Sequence, residues 1–138
     1  TNRIDPNAHP YYQNLCELKV SSHFFLRRDG SVIQFVSCNL RAWHAGISCW
    51  QGQERCNDFS IGIELEGSDR IPFTDQQYAA LIALTRCLCG RYPIEHIAGH
   101  SDIAPGRKTD PGPHFDWERY GSGLQRNLIK RSANSTPR

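Results

Sequence analysis

Hydrophobic residues in the middle of this chain follow two different periods, and the change of period separates a strand from a helix. Phe59, Ile61, Ile63 and Leu65 alternate with Ser60, Gly62, Glu64 and Glu66, the two-residue period of a strand with one apolar and one polar face. Glu64 and Glu66 then share a face. Beyond Thr74 the spacing widens: Tyr78, Leu81, Ile82, Thr85, Leu88 and Cys89 recur as on one side of a helix, ahead of Gly90. Thr74 followed by Gln77 has the form of a capping box, which marks the start of this main helix. Upstream, Val20 to Val36 holds two strand-like runs around Asp29-Gly30, a dipeptide suited to a type I′ hairpin turn.

The remaining segments are less regular. Asn39 to Asn57 contains Gly46, Gly52, Trp43, His44 and Trp50 without a clean period and reads as long loops, which often line sites. Ile94 to Ala98 suggests a short strand leading into His100. Asp116 to Tyr120 suggests a brief helix on which Trp117 and Tyr120 pack. Asp5 to Pro10 is rich in turn formers, and the polar end from Ser132 to Arg138 is expected to be a mobile tail. Strands interleaved with helices predict an α/β domain with a mixed central sheet and flanking helices, spanning residues 1–131 as one unit.

Composition narrows the classes. The chain has 138 residues, 38% of them apolar, enough for one domain with a real core and short for two. Lys and Arg are scattered over a net charge of only +2, which argues against a nucleic-acid partner. No apolar run approaches membrane-span length and no signal-type sequence opens the chain, so a soluble protein without a membrane partner is expected. Six cysteines form no C-x-x-C pair, and reduced thiols in a cytoplasmic protein are the expectation. The chain contains no Met, so Thr1 is not read as a translation start.

Candidate chemistry concentrates in His100-Ser101-Asp102-Ile103-Ala104-Pro105-Gly106-Arg107-Lys108-Thr109-Asp110-Pro111-Gly112. An imidazole and a carboxylate on one stiff loop are ordinary zinc ligands when a third protein ligand joins them and water takes the fourth position. Lys108 would put a cation beside such a metal. Taken alone, the pair reads more readily as a surface histidine and a turn aspartate, and Glu64 and Lys108 more readily as exposed charges.

The run from Gly99 to Gly112, with Ala42-Trp43-His44-Ala45-Gly46, Cys56 to Gly67 and Thr74 to Tyr78, resembles the type 2 N-acetylmuramoyl-L-alanine amidases, and within them the cytosolic branch acting on 1,6-anhydro-N-acetylmuramic acid. The match runs from about Ile4 to Tyr120. The resemblance implies an amidase or peptidoglycan-recognition-like fold, a zinc cofactor held by His100 and Asp110, a catalytic Glu64 and a transition-state cation at Lys108. It implies a muropeptide substrate, a monomer, and cell-wall recycling linked to β-lactamase induction. General chemistry agrees: zinc lowers the pKa of water toward roughly 7, a glutamate can carry its proton to the leaving amine, and a lysine can stabilise the carbonyl oxyanion.

Other residues stay open between two roles. Trp43 and His44 are either loop packing or a wall for the sugar or peptide. Arg55 and Lys19 match positions where the family carries basic groups near substrate, and are either plain surface charge or partners of a muropeptide carboxylate. His23 reads as a satisfied core histidine or one that supports the site rather than a ligand, and His9 lies in a proline-rich loop that is not a ligand position. The family's first zinc ligand sits on a strand of the type apolar-apolar-His-Asn, and its counterpart is expected upstream of Thr1. A binding module that kept the groove and lost catalysis is the alternative.

Overall fold

The computed structural model describes residues 22–124 and 127–129. A three-stranded sheet lies at its centre, in the order β2-β1-β5: β1 (Phe24–Leu26), β2 (Val32–Gln34) and β5 (Ile63–Leu65). β1 runs antiparallel to β2 and parallel to β5, so the sheet is mixed. All three β1 residues are buried, because this strand is covered on both faces. Phe24 and Leu26 point to one side, where they pack with Tyr78, Leu81, Leu88 and Phe115. Phe25 points to the other, against Phe35, Val36 and Ala42.

The hairpin between β1 and β2 forms where Asp29-Gly30 predicts it, but the turn is not type I′. Gly30 has φ +89°, whereas the positive-φ residues other than glycine among those described are Gln51 and Arg55, so Asp29 does not take the left-handed conformation that type I′ demands. Gly30 N–H donates to Arg27 O and Arg27 N–H to Ser31 O, the pattern of a three-residue loop ending in a left-handed glycine. The Asp29 carboxylate accepts from the backbone N–H and the hydroxyl of Ser31, and this local bonding selects the longer turn.

The main helix, α1 (Asp75–Arg91), begins at the capping box: Gln77 N–H donates to Thr74 Oγ1, and Thr74 N–H to Gln77 Oε1. Gln77 is buried and also donates from Nε2 to Glu66 O (2.8 Å), which ties the helix start to the end of β5. The helix continues through Gly90, one residue past the expected stop. Two later helices follow, α2 (His100–Ile103) and α3 (Trp117–Leu124). α3 packs on α1 through Tyr120, whose hydroxyl bonds to Thr85 Oγ1 at 2.6 Å in the buried core.

Three expectations change. The alternation from Phe59 becomes strand only at Ile63; Phe59 is exposed, and the segment before β5 holds a 3-10 turn (Cys56–Asp58). Residues 94–98 form a single parallel bridge, Ile97 to Ile129, in place of a strand. The loop region 39–57 contains a small hairpin, β3 (Cys49–Trp50) with β4 (Gln53–Glu54), whose turn uses Gln51 and Gly52 at positive φ. Cys38, Cys49, Cys56, Cys87 and Cys89 carry free thiols. No helix among the described residues is long and apolar enough to cross a membrane. Lys19, His9, Cys16 and the tail from Ser132 lie outside the described residues.

Candidate active site

Three segments converge beside the sheet: β5 with Glu64, the 42–48 loop, and the stretch from His100 to Asp110. The last of these is built around α2. Its N-cap is Gly99, whose N–H donates to Asp102 Oδ2 at 2.7 Å, while Pro111 Cδ and Trp117 lie 2.9–3.0 Å from where a Cβ would stand. Only glycine fits there. Ser101 N–H donates to Asp110 O, and Lys108 N–H donates to Ala104 O, so the chain after α2 doubles back on the helix. That return brings His100 and Asp110 together, with Nδ1 and Oδ2 3.2 Å apart.

His100 is oriented from its far side. Its Nε2–H donates to Ala45 O at 2.9 Å, which leaves Nδ1 facing the carboxylate. A lone pair aimed at a carboxylate oxygen requires a cation between them, either a proton or a metal. Two donors held about 2.0–2.1 Å from a tetrahedral zinc lie about 3.3 Å apart, so the observed separation suits a shared zinc. A second ring nitrogen bonded to a backbone carbonyl is also the usual support of a metal-ligating histidine. The two donors therefore fit zinc. Among the described residues no three His, Cys, Asp or Glu side chains converge as a complete metal set.

Electrostatics supports a coupled site. Burial drives the Glu64 carboxyl up to about 7 and the Asp110 charge adds to the rise, while His100 and Lys108 pull against both. For His100, burial works downward, but the bonds to Asp110 and Ala45 and the Asp110 charge together outweigh it and the net direction is up. For Asp110, burial works upward and is outweighed by its bond to His100 and by the nearby positive charges. Lys108 is exposed, yet its charge acts on all three.

His44 stands at the edge of this group. Burial pushes its pKa down to about 4, with the His23 and His100 charges contributing. Its ring lies against Gly62, where a Cβ would approach to 2.4 Å, and its Nε2 is 3.3 Å from Ser60 Oγ. Trp43 is 49% exposed and pairs with the Arg41 guanidinium, 4.1 Å from the ring centroid. Arg55 is exposed in the left-handed conformation, φ 57°. The structure thus gathers Glu64, His44, His100, Lys108 and Asp110, and leaves Trp43 and Arg55 on the exposed loop beyond them.

Two residues support the site, and of these only Asn57 escapes sequence reasoning. Buried Asn57 accepts at Oδ1 from the N–H groups of His44 (3.0 Å) and Ala45 (2.8 Å), fixing the loop that carries the carbonyl on His100. His23, expected as a satisfied core histidine or one that supports the site, is both: Nε2–H donates to Leu40 O, Nδ1 accepts from Gly62 N–H, and the residue clamps the start of β5 two positions before Glu64.

A mixed sheet flanked by helices, with these polar groups at one end of it, is the architecture of the amidase and peptidoglycan-recognition-like fold. The Amidase_2 family model, described as N-acetylmuramoyl-L-alanine amidase, matches residues 1–113, and the chain belongs to this family. It is 59% identical over 126 residues to the 1,6-anhydro-N-acetylmuramyl-L-alanine amidase AmpD of Enterobacter cloacae, covering 90% of this chain and 67% of the relative. It is 57% identical to the protein of that name from Escherichia coli K12, covering 87% and 67%. The chain therefore spans about two thirds of the length of the curated relatives it matches.

Solved structures agree. A crystal structure of a selenomethionine AmpD derivative aligns with a TM-score of 0.77 at 56% identity, covering 90% of this chain and 70% of the other. The Escherichia coli amidase AmiD, in complex with anhydro-N-acetylmuramic acid-L-Ala-D-γ-Glu-L-Lys, aligns at 0.72 and 35% identity, covering 89% and 61%.

Proposed function

We propose that this chain carries the catalytic face of a zinc-dependent amidase that cleaves the bond between 1,6-anhydro-N-acetylmuramic acid and L-alanine of the stem peptide. The observation that supports it most is the His100–Asp110 pair, 3.2 Å apart with the imidazole oriented by Ala45 O, beside a glutamate titrating near neutrality. His100 and Asp110 would hold the zinc, which supplies Lewis acidity to the amide carbonyl and acidity to an attacking water.

The protein groups then divide the remaining work. Glu64, a carboxyl that burial lifts to about 7 in the metal-free site, takes the proton of the attacking water and passes it to the amide nitrogen as the C–N bond breaks. Lys108 supplies positive charge where the carbonyl oxygen becomes negative. His44, held neutral, contributes a wall and a hydrogen-bonding edge, while Trp43, Arg55 and Lys19 serve recognition of the sugar and of peptide carboxylates. The similarity to AmpD proteins supports a place in cytosolic peptidoglycan recycling.

A binding module without turnover is the second reading, favoured by the finding that the described residues supply two metal donors and no complete set. Cleavage of anhydro-N-acetylmuramyl-L-alanyl peptide, followed by mass spectrometry with zinc present and after chelation, separates the two. The enzyme reading requires zinc-dependent release of a peptide beginning with L-alanine; binding without release supports the module.

A further inference from the structure

The backbone on both sides of Trp43 is anchored. Ala42 is buried with Phe25, Phe35 and Val36, and Ala45 is buried as well. The 3-10 turn at Cys56–Asp58 holds the loop that runs between them: Cys56 N–H donates to Ser48 Oγ at 3.1 Å, and Asn57 Oδ1 accepts from the N–H groups of His44 and Ala45. Arg107 adds a second hold, with Nη2 donating to Ala45 O at 2.6 Å and to Ile47 O at 2.8 Å. These bonds fix the backbone but not the Trp43 indole, which can still turn about its own side-chain torsions.

Arg41 acts on the indole. Its Cζ lies over the Trp43 ring, 4.1 Å from the centroid, and its Nη1 donates to Asp58 Oδ1 at 3.0 Å. A guanidinium is planar, so its face can stack on an aromatic ring while its edge donates to a carboxylate. Asp58 belongs to the same short turn as Asn57, so loop backbone and indole are both referred to one element. As an ion pair alone this contact would count for little, since the two side chains are 42% and 45% exposed. Its value lies in where it puts the ring. An indole that is already ordered gives up less side-chain freedom when a ligand stacks on it.

We propose that Arg41 is a positioning residue, braced by Asp58, that holds the Trp43 indole as a platform for the apolar face of the substrate's sugar ring. This rests on the reading of Trp43 as a recognition residue, and it concerns binding, not the bond-breaking step. Arg41 itself is not assigned a contact with the ligand.

The test is a double-mutant cycle read by titration calorimetry with 1,6-anhydro-N-acetylmuramyl-L-Ala-γ-D-Glu-L-Lys. The full-length protein carries Glu64→Gln throughout, so that the ligand stays intact. With Trp43 present, Arg41→Ala is expected to raise Kd about 2- to 5-fold, the equivalent of a cation–π contact of about 0.5–1 kcal/mol at an exposed site. Asp58→Asn is expected to shift Kd in the same direction by a smaller factor. In the Trp43→Ala background neither change has a further effect. An unchanged Kd for Arg41→Ala, or an equal loss in both backgrounds, overturns the proposal. If Arg41→Ala does not fold, Arg41→Met, which keeps the aliphatic stem and loses the charge and every donor, is read in the same way. Trp43→Ala that binds as tightly as its parent overturns the recognition reading of Trp43 and this proposal with it. A cycle that behaves as expected in a protein whose Glu64 form cleaves nothing leaves the positioning role standing and removes the amidase reading.

Discussion

Glu64 on β5 is the in-register partner of Phe25 on β1, so its carboxyl stands on the face of the sheet that carries Phe25 and Ala42, opposite the face on which α1 and α3 pack. Phe25 is completely buried. The sequence period places Glu64 on the polar face of its strand, yet that face is covered at this point, and burial is what lifts the carboxyl to about 7.

That relationship has a cost in stability that depends on pH. The folded-state pKa lies above the ordinary 4.5, so the folded metal-free protein keeps a proton that the unfolded chain has released. The protonated carboxyl contributes fully below about 4.5, and its contribution is lost as pH rises through 7. Glu64→Gln is therefore expected to gain stability over the wild type between pH 5 and pH 8, at about 1.4 kcal/mol per pKa unit. Urea midpoints at the two pH values check this; an equal difference at both contradicts it. The same variant should lose about 100-fold to 10,000-fold in turnover.

Lys108→Ala removes the cation and little else, since the side chain is exposed. Turnover is expected to drop about 100-fold to 1000-fold with an unchanged melting temperature. Steady-state kinetics beside a thermal melt gives both numbers, and undiminished kcat would remove the oxyanion role.

Gln77 bonds to Glu66 O and to Thr74 N–H from a fully buried position. Gln77→Ala leaves those groups without partners and is expected to cost about 1–3 kcal/mol, measured by chemical denaturation. A loss within 0.5 kcal/mol, the range of ordinary surface changes, would show that the bond from the residue 77 N–H to Thr74 Oγ1, which the variant keeps, is enough to hold the helix start.

Tyr120 is pushed up to about 12 by burial. The folded state retains the phenolic proton that the unfolded chain loses at its ordinary value of 10.0, so stability falls as pH rises from there toward 12. Tyr120→Phe should be less stable near neutrality by about 1 kcal/mol and lose this alkaline slope. Melts at pH 8 and pH 11 test the sign.

Legibility in the sequence tracks how local each interaction is. The capping box joins Thr74 and Gln77, only three positions apart, and is read directly, as is the clustering of His100, Lys108 and Asp110 on one segment. The hairpin turn was legible in place but not in type, because the Asp29 bonds to Ser31 compete with the backbone geometry that the dipeptide favours. The helix passes Gly90 because a single glycine costs only about 1 kcal/mol and the Tyr92 N–H still reaches Leu88 O.

The role of Glu64 came from family resemblance, since alternation marks only a polar face. The supports of His100 were not legible at all. A backbone carbonyl has no residue signature, and Ala45 lies 55 positions from the imidazole it receives. Asn57, 12 positions from Ala45, and Arg107, 62 positions from it, act through the same loop, and only the folded chain reveals their convergence there.

The central claim is that His100, Asp110, Glu64 and Lys108 form the working face of a zinc amidase. The most direct measurement is peptide release from 1,6-anhydro-N-acetylmuramyl-L-Ala-γ-D-Glu-L-Lys by the full-length protein carrying these residues, with zinc, with chelator, and with Asp110→Ala. The predicted result is a free peptide with an L-alanine N-terminus in the zinc sample, abolished by the chelator and by the variant. Zinc-loaded protein that binds this substrate and leaves the amide intact would contradict the account.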